Sequence, residues 1–508
     1  MSKTKNSIFN AISMLINTLV ISILGLVSTN IIIKNYGSDV NGVVATANQI
    51  VNLLLILEGG FTLAVNVALY KPYVLNKYSL INKILSTAKY TFFRIGAIFF
   101  GVGLIISLIY PSFIKSDLDY LTIFLIFFMV IISTTSNLFF TIRHQIMFQV
   151  SQKEYIYTFI SIIINILCHL TIIFLAIKMV DIIIIRLFVL LYSLLCAFII
   201  FIFYKKKFPY VKTNLVPNNK LINGTNDLLI QKLTSVVYFS FPLLFISTFV
   251  STRMSSVYVV YNSIYNIIRN AVNSIISAPV NAFGQLISNN KIKQAFNRFV
   301  LYEYIVVLFI CVLLSVTLCL IIPFVKLYTI NISEINYVNP TIAFMLAIAM
   351  FFELIHIPSG HIINVSGKFK VSKNINIVVC SILIILLIIL GIKFGIYGIL
   401  FAIIVSNIIL AILEMGYVHF KVFSSNLNKI GFVIFINIMT VIFILFLCNK
   451  FSIVFYSYFD FIKYAIVIFM INSIFIFVIN FVFFGKMIKE IFSLLKNVLR
   501  NKIVKVKI

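Results

Sequence analysis

Apolar runs of about twenty residues, each closed by a short loop, fill the sequence from residue 8 to residue 485. A helix needs about 20 apolar residues to cross the hydrocarbon core of a bilayer. A chain that repeats such runs cannot hide them in a soluble core. Of its 508 residues 62% are hydrophobic and only 10% charged, with a mean hydropathy of +1.13. The class is therefore a polytopic, all-helical membrane protein. Fourteen spans are expected. The first six lie near 8–33, 43–69, 90–110, 120–142, 156–177 and 182–204. The next six lie near 233–251, 257–286, 299–322, 341–366, 374–392 and 396–418, and the last two near 430–449 and 462–485. Two splits rest on single short breaks, Lys178-Met-Val-Asp181 and Lys393-Phe-Gly395. The first run is too long for a signal-peptide core and has no small-residue cleavage site, so it is expected to stay as a span.

The net charge of +27 could suggest a nucleic-acid partner, but the cations form no single patch. They sit in alternate loops, 29 in one set and seven in the other. By the positive-inside rule the richer set is cytoplasmic, which puts both termini there and requires an even number of spans. All six cysteines fall in apolar stretches without metal-like spacing and are read as small core residues, with no disulfide or zinc implied. No Gly-x-x-x-x-Gly-Lys-Ser/Thr nucleotide loop occurs, and nothing suggests a bound cofactor.

The chain repeats itself. Gly42-Val-Val-Ala-Thr-Ala-Asn-Gln-Ile-Val-Asn-Leu-Leu54 aligns with Ser256-Val-Tyr-Val-Val-Tyr-Asn-Ser-Ile-Tyr-Asn-Ile-Ile268, matching Val43, Asn48, Ile50 and Asn52 with Val257, Asn262, Ile264 and Asn266. Val150-Ser-Gln-Lys153 aligns with Val365-Ser-Gly-Lys368 at almost the same offset. Two six-helix bundles in parallel orientation are expected, 1–204 and 233–418, joined by a cytoplasmic linker at 205–232. Residues 419–508 add two spans without counterpart and a basic tail.

Polar residues inside apolar spans mark candidate sites, because they are costly in lipid. In span 8, Tyr258, Asn262, Asn266, Arg269 and Asn273 fall within about 80° of one another at 100° per residue. In span 2, Asn41, Asn48, Asn52, Gly59 and Asn66 share a face, with Glu58 to its side. In span 10, Glu353, His356, Gly360 and Asn364 align, and Pro358 interrupts the helix. An asparagine there can also be interhelical glue worth roughly 0.6 kcal/mol. A mid-span charge costs at least about 2.5 kcal/mol, so Arg269 needs water, a function, or a partner such as Glu58 or Glu353. Arg94, Arg186 and Glu303 are read as lying near span ends, where long side chains snorkel.

Three stretches carry a resemblance to a known family: Asn35-Tyr-Gly-Ser-Asp-Val-Asn-Gly42 running into span 2 with Leu57-Glu-Gly-Gly60, Val150-Ser-Gln-Lys-Glu-Tyr155, and the echo at Val365. With the topology, the chain resembles the Wzx-type polysaccharide and O-antigen flippases of the multidrug/oligosaccharidyl-lipid/polysaccharide exporter superfamily. That resemblance implies two bundles around a central cavity with alternating access. It implies a location in the bacterial cytoplasmic (inner) membrane and no enzymatic activity. The implied substrate is an undecaprenyl-pyrophosphate-linked oligosaccharide repeat unit, with a polysaccharide polymerase and chain-length proteins as further partners. Arg269 would grip phosphate, the walls would be Asn48, Asn52, Asn262, Asn266, Asn273 and Tyr258, and Glu58, Glu353 or His356 would couple an ion. Related peptidoglycan-precursor flippases place arginines in span 1, whereas none lies between Lys5 and Lys34 here. A cation-coupled multidrug antiporter of the same superfamily is the nearest alternative. A membrane polymerase or glycosyltransferase is a further one, disfavoured by the small outer loop at about 323–340.

Overall fold

The structure is a computed structural model that describes residues 3–58, 61–218, 221–222, 226–276, 279–330, 332, 334–448, 450, 455 and 457–505. Gly59, Gly60, parts of the expected linker and the end of the tail lie outside the described residues. Among the described residues every regular element is helical. The first helices are α1 (Lys3–Leu54), α2 (Phe61–Val74), α3 (Tyr78–Ile109), α4 (Tyr120–Phe140), α5 (Ile142–Val150), α6 (Glu154–Ile177), α7 (Ile182–Lys207) and α8 (Asn226–Phe245). Then come α9 (Thr252–Ile276), α10 (Val280–Ser288), α11 (Ile292–Tyr328), α12 (Pro340–Ile355), α13 (Ile357–Val365), α14 (Phe369–Tyr417), α15 (Asn428–Cys448) and α16 (Tyr458–Lys505). Among the described residues, eleven helical stretches are long and apolar enough to cross a membrane. Large apolar side chains such as Phe93, Phe174, Phe198 and Ile412 point outward, as lipid contact requires.

Two of those stretches hold more than one expected span. In α1, Gly37 adopts φ 91°, ψ 164° between the first two spans. In α14, Gly395 adopts φ 57°, ψ −135° between spans 11 and 12, at the break predicted on Lys393-Phe-Gly395. The other short break, Lys178 to Asp181, separates α6 from α7, with the Asp181 carboxylate accepting from Ile183 N at 2.7 Å as helix cap.

Two expected spans are not single helices. Span 2 ends as α-helix at Leu54, continues as a 3-10 turn over Leu55–Glu58, and resumes as α2. Span 8 is divided into α9 and α10, with Pro279 just before the second. Apolar run length alone does not report such breaks, because the apolar run continues past each of them.

The repeat extends to the turns. Asn76 and Asn290, 214 positions apart, both have positive φ, as do Gln152 and Gly367, 215 apart. Each closes the same helix-ending turn. Gln152 N bonds Gln149 O and Lys153 N bonds Phe148 O, as Gly367 N bonds Asn364 O and Lys368 N bonds Ile363 O. The repeated Val-Ser-x-Lys is thus a C-terminal cap leading into α6 and α14. Thr141 between α4 and α5 and His356 between α12 and α13 are also 215 apart.

The helices gather into two compact units. One comprises Met1–Ser263, Asn331–Ile335 and Cys380–Ile399, and the other Ile264–Ile330, Asn336–Val379 and Leu400–Ile508. In the first, α3 packs on α4, α4 on α7, α6 on both α1 and α7, and α2 on α3 and α5. Its main core gathers Leu69, Phe92, Phe148, Ile164 and Tyr204. Residues 210–218 run along α3. Asn82 and Tyr210 O bond at 3.2 Å, Leu215 N donates to Ser86 Oγ at 3.2 Å, and Asn218 N donates to Thr87 Oγ1 at 2.9 Å. In the second unit α11 is the hub, packing on α12, α15 and α16.

Candidate functional site

The Asn35–Gly42 stretch builds a knot within the first unit. Asn35 Nδ2 donates to Ala176 O at 2.7 Å, and Tyr36 Oη donates to Val180 O. Ser38 N donates to Glu334 Oε2 at 2.7 Å. The buried Asp39 carboxylate accepts from Ser116 Oγ at 2.6 Å, from Asp117 N at 2.7 Å and from Thr252 Oγ1. Asn41 Nδ2 donates to Ser256 Oγ at 2.7 Å, so two positions 215 apart in the repeat meet each other. Gly42 lies directly against the Thr252 carbonyl, where a Cβ has no room.

The polar face predicted on span 2 is not continuous. Asn41 is buried, whereas Asn48 and Asn52 are exposed. Asn66 belongs to α2, where its amide donates to Gln149 Oε1 at 3.0 Å, and Gln149 in turn donates to Glu154 Oε1 at 2.7 Å. A 3-10 turn advances 120° per residue instead of 100°, so the phase of α1 is lost before α2 begins. Glu58 is buried and accepts from Thr62 N at 3.0 Å, which caps the start of α2.

The face predicted on span 8 lies within one helix. Tyr258, Asn262, Asn266, Arg269 and Asn273 all fall in α9, with Tyr258 buried and the other four half-buried. In the second unit Arg269 holds Glu353 of α12 with two bonds, Nε to Oε1 at 2.5 Å and Nη2 to Oε2 at 2.8 Å. Its Nη1 donates to Asn266 Oδ1. Glu353 is therefore the partner of Arg269. The side chains are 17% and 12% exposed, so the bidentate pair keeps an open edge.

Where α12 gives way to α13, two carboxylate–histidine pairs flank the break. His356 Nδ1 and Glu414 Oε2 are 2.8 Å apart, and Gly360 leaves the space that Glu414 occupies. The second pair joins His419 Nε2 to Glu303 Oε2 at 3.0 Å, with Ser359 Oγ donating to Glu303 Oε1 at 3.5 Å. Glu303 does not snorkel. Because α11 begins at Ile292, the residue sits well inside the helix, and it is 2% exposed. Glu303, Glu414 and His419 were not singled out as site residues from the sequence. The available signal was their ionisable character inside an apolar run. Arg94 does reach the surface, over the Tyr90 ring.

No family model matches the sequence, and no curated protein matches it. Among solved structures the chain is similar to the lipid II flippase MurJ in an inward closed conformation. The TM-score is 0.71 at 16% identity, covering 95% of this chain and 100% of that one. It is also similar to an inward-facing multidrug resistance MATE family transporter of the MOP superfamily, with TM-score 0.59 at 13% identity, covering 82% of this chain and 98% of that one. A MATE structure in the bent conformation aligns with TM-score 0.56 at 12% identity, over 85% and 98% of the two chains. Likeness at such identities establishes the fold, a many-helix membrane architecture shared by flippases and transporters.

Proposed function

We propose that this chain is a flippase carrying undecaprenyl-pyrophosphate-linked oligosaccharide repeat units from the cytoplasmic to the outer leaflet for surface polysaccharide assembly. The observation that carries the reading is extent. The flippase structure matches 95% of this chain, against 82% and 85% for the two multidrug transporters. The motifs at Asn35–Gly42 and Val150–Tyr155 favour the oligosaccharide branch over the multidrug one.

The physical task is to shelter a diphosphate and a hydrophilic glycan while the polyprenyl tail stays in lipid. Asn48, Asn52, Tyr258, Asn262, Asn266 and Asn273 supply neutral hydrogen-bonding walls. Arg269 supplies the cation, with planar donors matched to phosphate oxygens. Without substrate, Glu353 neutralises that charge. An incoming diphosphate competes with Glu353 for the guanidinium, and the displaced carboxylate must take up a cation or a proton. Substrate occupancy and ion occupancy are then linked through one residue pair, with Glu58 and His356 as further coupling groups. Alternating access follows by rocking of the two repeats.

A second reading, a flippase for a peptidoglycan precursor, is favoured by the 0.71 match to the lipid II flippase. The absence of arginine between Lys5 and Lys34 speaks against it. Gene deletion with fractionation of membrane lipids separates these readings. The proposal predicts loss of surface glycan with accumulation of completed repeat units, rescued by wild type and not by Arg269→Ala. Accumulated peptidoglycan precursor with lysis would favour the second reading. Unchanged glycan with new sensitivity to cationic dyes would point to a drug antiporter.

A further inference from the structure

We propose that Cys319 and Cys448 form a disulfide that fastens α15 to α11. Their Sγ atoms are 2.7 Å apart. Non-bonded carbon atoms already prefer about 3.5–4.0 Å, and sulfur is larger, so the two atoms are too close for a pair of independent thiols. A disulfide needs about 2.05 Å, a closure of well under about 1 Å. The cysteines come from neighbouring helices, since α15 packs along α11. Both point to the same end: Cys319 lies in the last third of α11, and Cys448 is the last residue of α15.

That end is the outer one by charge. Helix α11 starts beside Lys291 and Lys293 and α15 beside Lys429, all in the cation-rich set of loops. Outer compartments are where disulfides form and persist. Neither thiol is fully enclosed by protein, and Cys448 stands at the very end of its span.

The oxidant is a disulfide-bearing donor of the thiol–disulfide exchange class on the outer side. The Cys448 thiolate attacks one donor sulfur, forming a mixed disulfide and releasing the first donor thiolate. Cys319 then loses its proton and attacks Cys448 Sγ, releasing the second donor thiolate. Two cysteine thiols are oxidised, the donor disulfide is reduced, and both protons end on donor thiols. The bond joins residues 129 apart in sequence. It closes α12, α13 and α14 into one loop and prevents α15 from separating from α11. It requires no particular transported substrate.

The test is a thiol count on full-length protein in its native membrane. Cells are quenched in acid, the protein is denatured, and free thiols are alkylated before and after reduction. We expect four alkyl groups on wild type before reduction and six after, with the 319- and 448-containing peptides joined in the unreduced map. Cys319→Ser and Cys448→Ser should each carry five under both conditions, though the wild-type count decides alone. Five or more groups on unreduced wild type, or a bond between a different pair, would overturn the proposal.

Discussion

Gly42 shows at the residue scale why a membrane helix carries a glycine where lipid exposure does not ask for one. The Thr252 carbonyl occupies the place of a Cβ, and backbone cannot step aside as a side-chain tip can. Gly42→Ala should therefore destabilise the first unit by about 1–3 kcal/mol, the usual cost of overpacking, read as a lower thermal midpoint of purified protein. Arg269 and Glu353 give a second residue-scale prediction. Glu353→Gln leaves the guanidinium without its counter-charge and should cost about 3 kcal/mol. Replacing both with apolar residues of similar volume should recover most of that loss while abolishing transport. Equal stability of the single and double variants would remove the pair from the account. His144, outside the spans, gives the pH dependence. Burial first and the neighbouring Arg143 guanidinium second push its imidazole down to about 3. The unfolded chain takes up a proton below about pH 6.5 while the folded chain does not, so stability is full above pH 6.5 and falls as pH is lowered toward 3. Between pH 7 and pH 5 the loss should reach about 2 kcal/mol, and His144→Gln should lose less over that interval.

At the scale of elements, the turn at Gly395 makes α14 two crossings instead of one. With Lys393→Cys, Lys370→Cys or Lys421→Cys introduced singly into the native protein, a membrane-impermeant maleimide added outside intact cells should label only the first above background. Labelling of Lys370→Cys or Lys421→Cys instead would reverse the topology. This break was legible in the sequence because a charge and a glycine interrupt an otherwise apolar run, and Lys178 to Asp181 was legible for the same reason. The interruptions of spans 2 and 8 were missed because the apolar runs continue past them, although Glu58-Gly-Gly60 and Pro279 stand at the two breaks. The same contrast holds at the candidate site. The face of α9 was readable from helical spacing because one unbroken helix carries all five residues. Asn66 separated from Asn48 and Asn52 because a 3-10 turn intervenes. Glu303 and His419 were hidden for another reason, as they are 116 residues apart and meet only through the packing of their helices. The repeated Val-Ser-x-Lys, legible as a repeat, carried no sign in its letters that it is a helix-ending turn.

For the whole molecule, the fold and the proposed activity meet in one requirement. A polar head group must pass while its lipid tail does not leave the bilayer. The repeat of turns at offsets of 214 and 215 gives two like halves, and the match to a solved structure over 95% of the chain gives the many-helix membrane fold. The direct measurement is translocation by the purified protein in liposomes loaded with an undecaprenyl-pyrophosphate-linked oligosaccharide. An impermeant glycosidase outside then reports the accessible fraction. The account predicts that wild type carries the inner-leaflet half of the substrate to the enzyme within the assay, while Arg269→Ala leaves that half protected. Protection of the inner half with wild-type protein, under an imposed ion gradient of either direction, would contradict it.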